Sequence, residues 1–156
     1  MRYRTRRVFV PQGRVEVMKA NIDNALLINY KDTDDFYYKW MLIVGRIYDL
    51  SKKECVVFSK ILSYRHELSK TIFDNNQLDE ACTNAISRER MAEELGMSIQ
   101  QYMNITRVLA EKKLLKRYRS KNKRIVSFYY ISPEFIPNYK DGCNTSLAFV
   151  FRMNSK

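Results

Sequence analysis

Glycine and proline are scarce in this chain, with four and three copies in 156 residues. Long loops are therefore not expected, and helices are favoured. Histidine is scarcer, with His66 alone. The three cysteines, Cys55, Cys82 and Cys143, lie far apart. None is paired at metal-ligand spacing, so no zinc site is expected. An odd, scattered set suits a reducing compartment, where cysteines serve as small core hydrophobes. Long apolar runs are lacking too: the segment WMLIVG is about a third of a membrane span. The start, MRYRTRRVFVPQG, has too short an apolar run for a signal peptide. Clustered carboxylates are few. Asp32, Asp34 and Asp35 are the only close group, and they suit the start of a helix. Nothing marks a catalytic centre, so the expectation is a protein without enzymatic activity, metal or cofactor.

What is present is apolar and basic. The chain is 46% hydrophobic and 13% aromatic, enough to bury a real core. Its 28 basic residues outweigh 17 acidic ones, for a formal charge of +11. Such a surface attracts nucleic acid or other anionic partners.

Residues 1–33 are mixed. Arg2, Arg4, Arg6 and Arg7 form a basic arm, readable as a frayed terminus or as a nucleic-acid contact. RRVFVPQGRVEVM reads as two extended pieces around Pro11-Gln12-Gly13, a hairpin. The spacing of Phe36, Trp40, Ile43 or Val44, and Ile47 predicts a helix over 34–50. A second helix is expected over 51–68. Ser51 and Glu54 form its capping box, and Val57, Ile61, Tyr64 and Leu68 line one face beside Phe58 and Leu62. His66 falls near the end of that helix, as a solvated or charged residue by the helix terminus. Residues 69–86 read as polar and irregular, with DNNQ a turn and TNAI a short strand.

The stretch MAEELGMSIQQYMNITRVL carries a glycine mid-pattern. Inside one long helix Gly96 would cost about 1 kcal/mol relative to alanine. Two short helices joined by a tight turn require it. Ser87 is the expected N-cap of the first, and Met91, Ala92 and Leu95 its buried face. Gly96 supplies a left-handed exit. Met97 plugs the corner and Ser98 caps the second helix, whose inner face is Tyr102, Ile105 and Leu109. This is helix-turn-helix spacing, with Ala92 the small residue at the crossing.

The outer face of the second helix carries Gln100, Asn104, Arg107 and Glu111, flanked by Gln101 and Met103. Paired amides can bond adenine edges, and arginine guanine edges. A merely solvated face usually carries more lysine and glutamate. From Lys112 to Arg124 there are eight basic residues and no acidic one. Leu114 and Leu115 are expected to close the helix. KRYRS and RIVSFYYI then read as two strands around Lys121-Asn122-Lys123. Ile125, Ser127, Tyr129 and Ile131 share one face, and Val126, Phe128 and Tyr130 the other. The expected DNA-binding set is Ser98, Gln100, Gln101, Met103, Asn104, Arg107, Lys116, Arg117, Arg119, Lys121, Lys123 and Arg124, with the helix in the major groove and the hairpin on phosphates.

The segments LSKKECVVFSKIL, AISRERMAEELGMSIQQYMNITRVLAEKKLLKR and RIVSFYYISPEFI together resemble a winged helix-turn-helix domain over residues 49–137. Within that class the chain is similar to plasmid and phage replication initiators of the RepL type, whose wing strand runs into a segment like Ile131, Ser132, Pro133, Glu134 and Phe135 here. Tyr102 stands where that family has a small β-branched residue. The resemblance implies an α+β, mainly α fold: a three-helix core and β-hairpin wing. An N-terminal extension (1–48) precedes it, and a tail (138–156) that could form a strand follows. It implies a sequence-specific double-stranded DNA-binding protein, a replication initiator or transcription regulator, in the cytoplasm of a bacterium or infected host cell. Its partners would be duplex DNA and other replication or transcription proteins; a homodimer would place half-sites about one helical turn apart. No membrane partner is expected. The alternative is a phage virion or DNA-packaging component on the same scaffold, with Phe149, Val150 and Phe151 as assembly surface.

Overall fold

The computed structural model describes residues 4–10, 13–19, 24–119, 126–139, 142 and 145–150. The fold is α+β and mainly helical. Strands β1 (Arg4–Val10), β2 (Gly13–Lys19) and β3 (Asn24–Asn29) are followed by helices α1 (Thr33–Ile47), α2 (Lys52–Leu68), α3 (Asn75–Thr83), α4 (Ala85–Glu94) and α5 (Ile99–Glu111). A two-stranded ribbon comes next, β4 (Leu115–Tyr118) and β5 (Phe128–Ile131), then a single 3-10 turn (Pro133–Phe135) and β6 (Thr145–Val150).

The first hairpin forms as expected, with Val8 opposite Val15 in β1 and β2. β3 continues the sheet beside β2, and β6 pairs antiparallel with β3, Leu27 facing Leu147. The two ends of the chain thus share one sheet, ordered β1-β2-β3-β6. Ile28, fully buried, joins that sheet to the helical core.

Asp32 starts α1 by accepting a hydrogen bond from the Asp35 amide at 2.8 Å. In α2 both halves of the Ser51–Glu54 capping box are present. A Cβ added at Gly45 would lie 2.5 Å from the Cys55 Sγ, so glycine lets α1 and α2 approach there. Burial pushes the Cys55 thiol up to about 11, reinforced by Glu54, and the Cys82 thiol up to about 12, reinforced by Asp79. Both behave as core hydrophobes.

Trp40 is buried, and its Nε1–H donates to the Phe135 carbonyl at 2.9 Å. Phe135 in turn packs edge-on against Tyr48 and Phe58. The segment after β5 is therefore anchored by the α1–α2 core. His66 is half-buried rather than solvated, its ring edge-on to Tyr139 at 4.6 Å. Tyr30, Phe36 and Tyr37 complete that aromatic group.

Three expectations are corrected. Residues 75–83 form α3, not an irregular stretch, and TNAI is not a strand. Asp74 caps α3, accepting from the Asn76 amide at 2.8 Å. The same polar residues that signal a turn also start helices. Leu78 and Cys82, one turn apart, then supply the buried stripe. Second, the N-cap of α4 is Asn84, whose Oδ1 accepts from the Ser87 amide at 2.9 Å. Third, α5 ends at Glu111, and Leu115 opens β4. Lys113 takes a left-handed φ of +73°, so the amides of Lys113 and Leu114 close back on Ala110 and Leu109.

Candidate nucleic-acid interface

The turn between α4 and α5 has the predicted geometry. Gly96 has φ +67°. Its amide donates to the Glu93 carbonyl at 3.1 Å, and the Met97 amide to the Ala92 carbonyl at 2.8 Å. That pair of bonds is a Schellman closure, which needs a left-handed residue where Gly96 stands. Ser98 then caps α5, accepting from the Gln101 amide at 3.1 Å.

α4 and α5 meet through Met91, Ala92, Tyr102 and Leu109, all buried. Leu95, Met97 and Ile105 are half-buried at the rim of that contact. Thr106, buried at 1% exposure, was not expected on the inner face. Its hydroxyl donates to the Met103 carbonyl at 2.9 Å and lies 3.4 Å from the Tyr129 hydroxyl, which satisfies a polar group in the core. Tyr102 is fully buried, and its hydroxyl is the one buried side-chain polar atom without a hydrogen-bond partner among the described residues. Burial, with Cys82 nearby, pushes its phenol well above the ordinary value and keeps it neutral.

Opposite this packed side, Gln100, Met103, Asn104, Arg107 and Glu111 are exposed, as is Ser98; Gln101 is half-buried. Gln100 Nε2 donates to Asn104 Oδ1 at 3.1 Å, so the two amides lie side by side one turn apart. Their remaining donors and acceptors face outward with the Arg107 side chain.

Two ties fix α5 and its partner α4 in place. Lys112, at its C-terminus, donates to the Asp49 carbonyl at 2.6 Å and to Glu54 at 2.8 Å. Burial acts to raise the Glu54 pKa, but hydrogen bonds from Lys112 and Ser51 outweigh it and hold the carboxyl below its ordinary value. Arg88, buried on α4 one turn before Ala92, donates to the Val126 carbonyl at 3.0 Å and lies over the Tyr129 ring. Its position on the inner face was the available signal, overlooked because arginine is usually exposed.

The ribbon lies beside α5. Leu115, Tyr129 and Ile131 are buried on its inner side. Lys116, Arg117 and Arg119 are exposed, and an Arg117 nitrogen comes within 3.5 Å of the Arg107 carbonyl. The predicted contacts Lys121, Lys123 and Arg124 lie outside the described residues. The free edge of β5 is held by α3 instead of a strand. Thr83 Oγ1 accepts from the Tyr129 amide at 2.9 Å and lies 2.8 Å from the Tyr129 carbonyl. Asp79 Oδ2 accepts from the Ile131 amide at 3.0 Å, while its Oδ1 pairs with Arg65 at 2.8 Å. Two side chains of a helix thus do the hydrogen bonding that an adjacent strand would do.

Among the described residues no helix is long and apolar enough to cross a membrane, and no group of three or more His, Cys, Asp or Glu converges as a metal site. Comparison with known protein families, curated proteins and solved structures returned no match, so what the chain can bind has to be read from this surface itself.

Proposed function

We propose that the chain is a winged helix-turn-helix protein that binds double-stranded DNA in a sequence-dependent way, as a replication initiator or a transcription regulator. α5 is the recognition helix and the β4–β5 hairpin is the wing. The observation that carries this reading is the outer face of α5. It presents Gln100, Asn104 and Arg107 outward from a helix whose other side is locked into the core. Amides bonded to each other and an unburdened guanidinium are groups suited to base edges. Beside them, Lys116, Arg117 and Arg119 offer charge to the phosphate backbone, which positions the helix without reading sequence. The reducing-compartment cysteines and the +11 charge fit a cytoplasmic DNA-binding role.

The test is duplex affinity against salt concentration, read by fluorescence anisotropy. If Lys116, Arg117, Arg119, Lys121, Lys123 and Arg124 each hold one phosphate, the log–log slope is about −5. Replacing Arg117 and Arg119 by glutamine reduces the slope's magnitude by about 2 and weakens all sequences alike. A slope near zero, or one those changes leave untouched, contradicts the proposal.

A further inference from the structure

We propose that the outer face of the β4–β5 ribbon is a stacking platform for an unpaired base, so that the protein prefers DNA containing unpaired nucleotides to continuous duplex. This rests on the duplex-binding reading above and adds a second kind of contact to it.

The register sets the face. Lys116 pairs with Tyr130 and Tyr118 with Phe128, while the intervening pair, Arg117 and Tyr129, projects to the other side. The outer face of the ladder therefore carries three aromatic rings and one ammonium, with no aliphatic side chain and no carboxylate. The Tyr118 ring stacks on Phe128, centroids 4.6 Å apart and planes 26° from parallel. Tyr130 stands edge-on to both rings, at 6.0 Å and 5.1 Å. Phe128 is buried, but Tyr118 remains 41% exposed, so one side of its ring rests on protein and the other is open.

An open ring flanked by cations matches the way proteins hold single-stranded nucleic acid: a base stacks on the ring while its phosphates meet lysine or arginine. Lys116 lies on the same face, and exposed Arg119 follows Tyr118 in the chain. A base inside continuous duplex has both faces covered by its neighbours and cannot stack on Tyr118. An apolar protein partner would call for aliphatic side chains, which the paired positions of this face lack. The rings also stiffen the ribbon as cross-strand pairs. A variant must therefore separate stacking from hairpin formation.

Two duplexes of equal length are compared by anisotropy, one fully paired and one with a central mismatched bubble containing 2-aminopurine. The expected result is about tenfold tighter binding to the bubble, with quenching of the 2-aminopurine emission as it stacks. Tyr118→Leu keeps apolar bulk and loses the preference and the quenching, with affinity for paired duplex unchanged. Tyr118→Phe keeps all three. Equal affinity of the wild-type protein for both duplexes overturns the platform, as does an undiminished preference in Tyr118→Leu. Should Tyr118→Leu not fold, Tyr130→Leu replaces it, and the wild-type comparison still decides. Binding to the bubble with none to paired duplex leaves the platform standing and removes the groove reading. Binding to neither removes both.

Discussion

Asp79→Ala is expected to lower the stability of the fold by about 3–5 kcal/mol, the range for a buried ion pair stripped of one partner. For a chain of this size that is a fall of about 10 °C in melting temperature. The Asp79 side chain is 7% exposed and does two jobs at once. One oxygen neutralises Arg65 at 2.8 Å, and the other satisfies the Ile131 amide at 3.0 Å. Alanine leaves a largely buried guanidinium without its counter-ion and a buried strand amide without its acceptor. Asp79→Asn keeps an oxygen for the strand amide and loses only the charge, so it costs less. Exchanging both partners, Arg65→Met with Asp79→Leu, removes the stranded charge and is milder than Asp79→Ala alone. Urea denaturation followed by circular dichroism checks the order. A loss below about 1 kcal/mol for Asp79→Ala, the size of an ordinary exposed pair, would show that α3 does not hold β5.

The second large effect concerns sequence discrimination. Replacing Gln100, Asn104 and Arg107 together by alanine is expected to reduce preference for the best site over random duplex by about a hundredfold or more, since each good base contact is worth about 1–3 kcal/mol. The salt slope falls by no more than about one, because at most Arg107 touches a phosphate. The fold is unaffected: all three side chains are exposed, and alanine favours helix. Selection of binding sites from a random duplex pool, with wild-type and triple variant in parallel, measures this. A triple variant that enriches the same sites as wild type places the reading surface elsewhere.

Much of this candidate surface was legible in the residues. Gly96 marked the turn because few residues take a left-handed exit easily, and Ser98 marked the next helix because a serine hydroxyl caps a first turn well. The exposed row at 100, 104 and 107 followed from helical spacing. What was missed has physical causes as well. α3 was hidden because Asp74, Asn75 and Asn76 signal a turn and a helix start equally. The end of α5 was hidden because Lys113, not glycine, takes the left-handed position after the helix. Its cost is covered by the Leu114 and Leu115 side chains, which the turn carries into the core. Asp79, Thr83, Thr106 and Arg88 were missed because polarity suggested the surface. Each is buried with its polar atoms bonded, a tertiary arrangement that local pattern does not encode. The pairing of β6 with β3 is likewise non-local, joining positions more than a hundred residues apart.

The most direct measurement of the central claim is backbone amide NMR of the full chain during titration with a duplex it selects. The account predicts the largest shifts at Ser98 to Arg107 and at Lys116 to Arg119, with Tyr37, Trp40 and Val57 unmoved. Shifts concentrated on α1 and α2, with the amides of Gln100, Asn104 and Arg107 still, would contradict it.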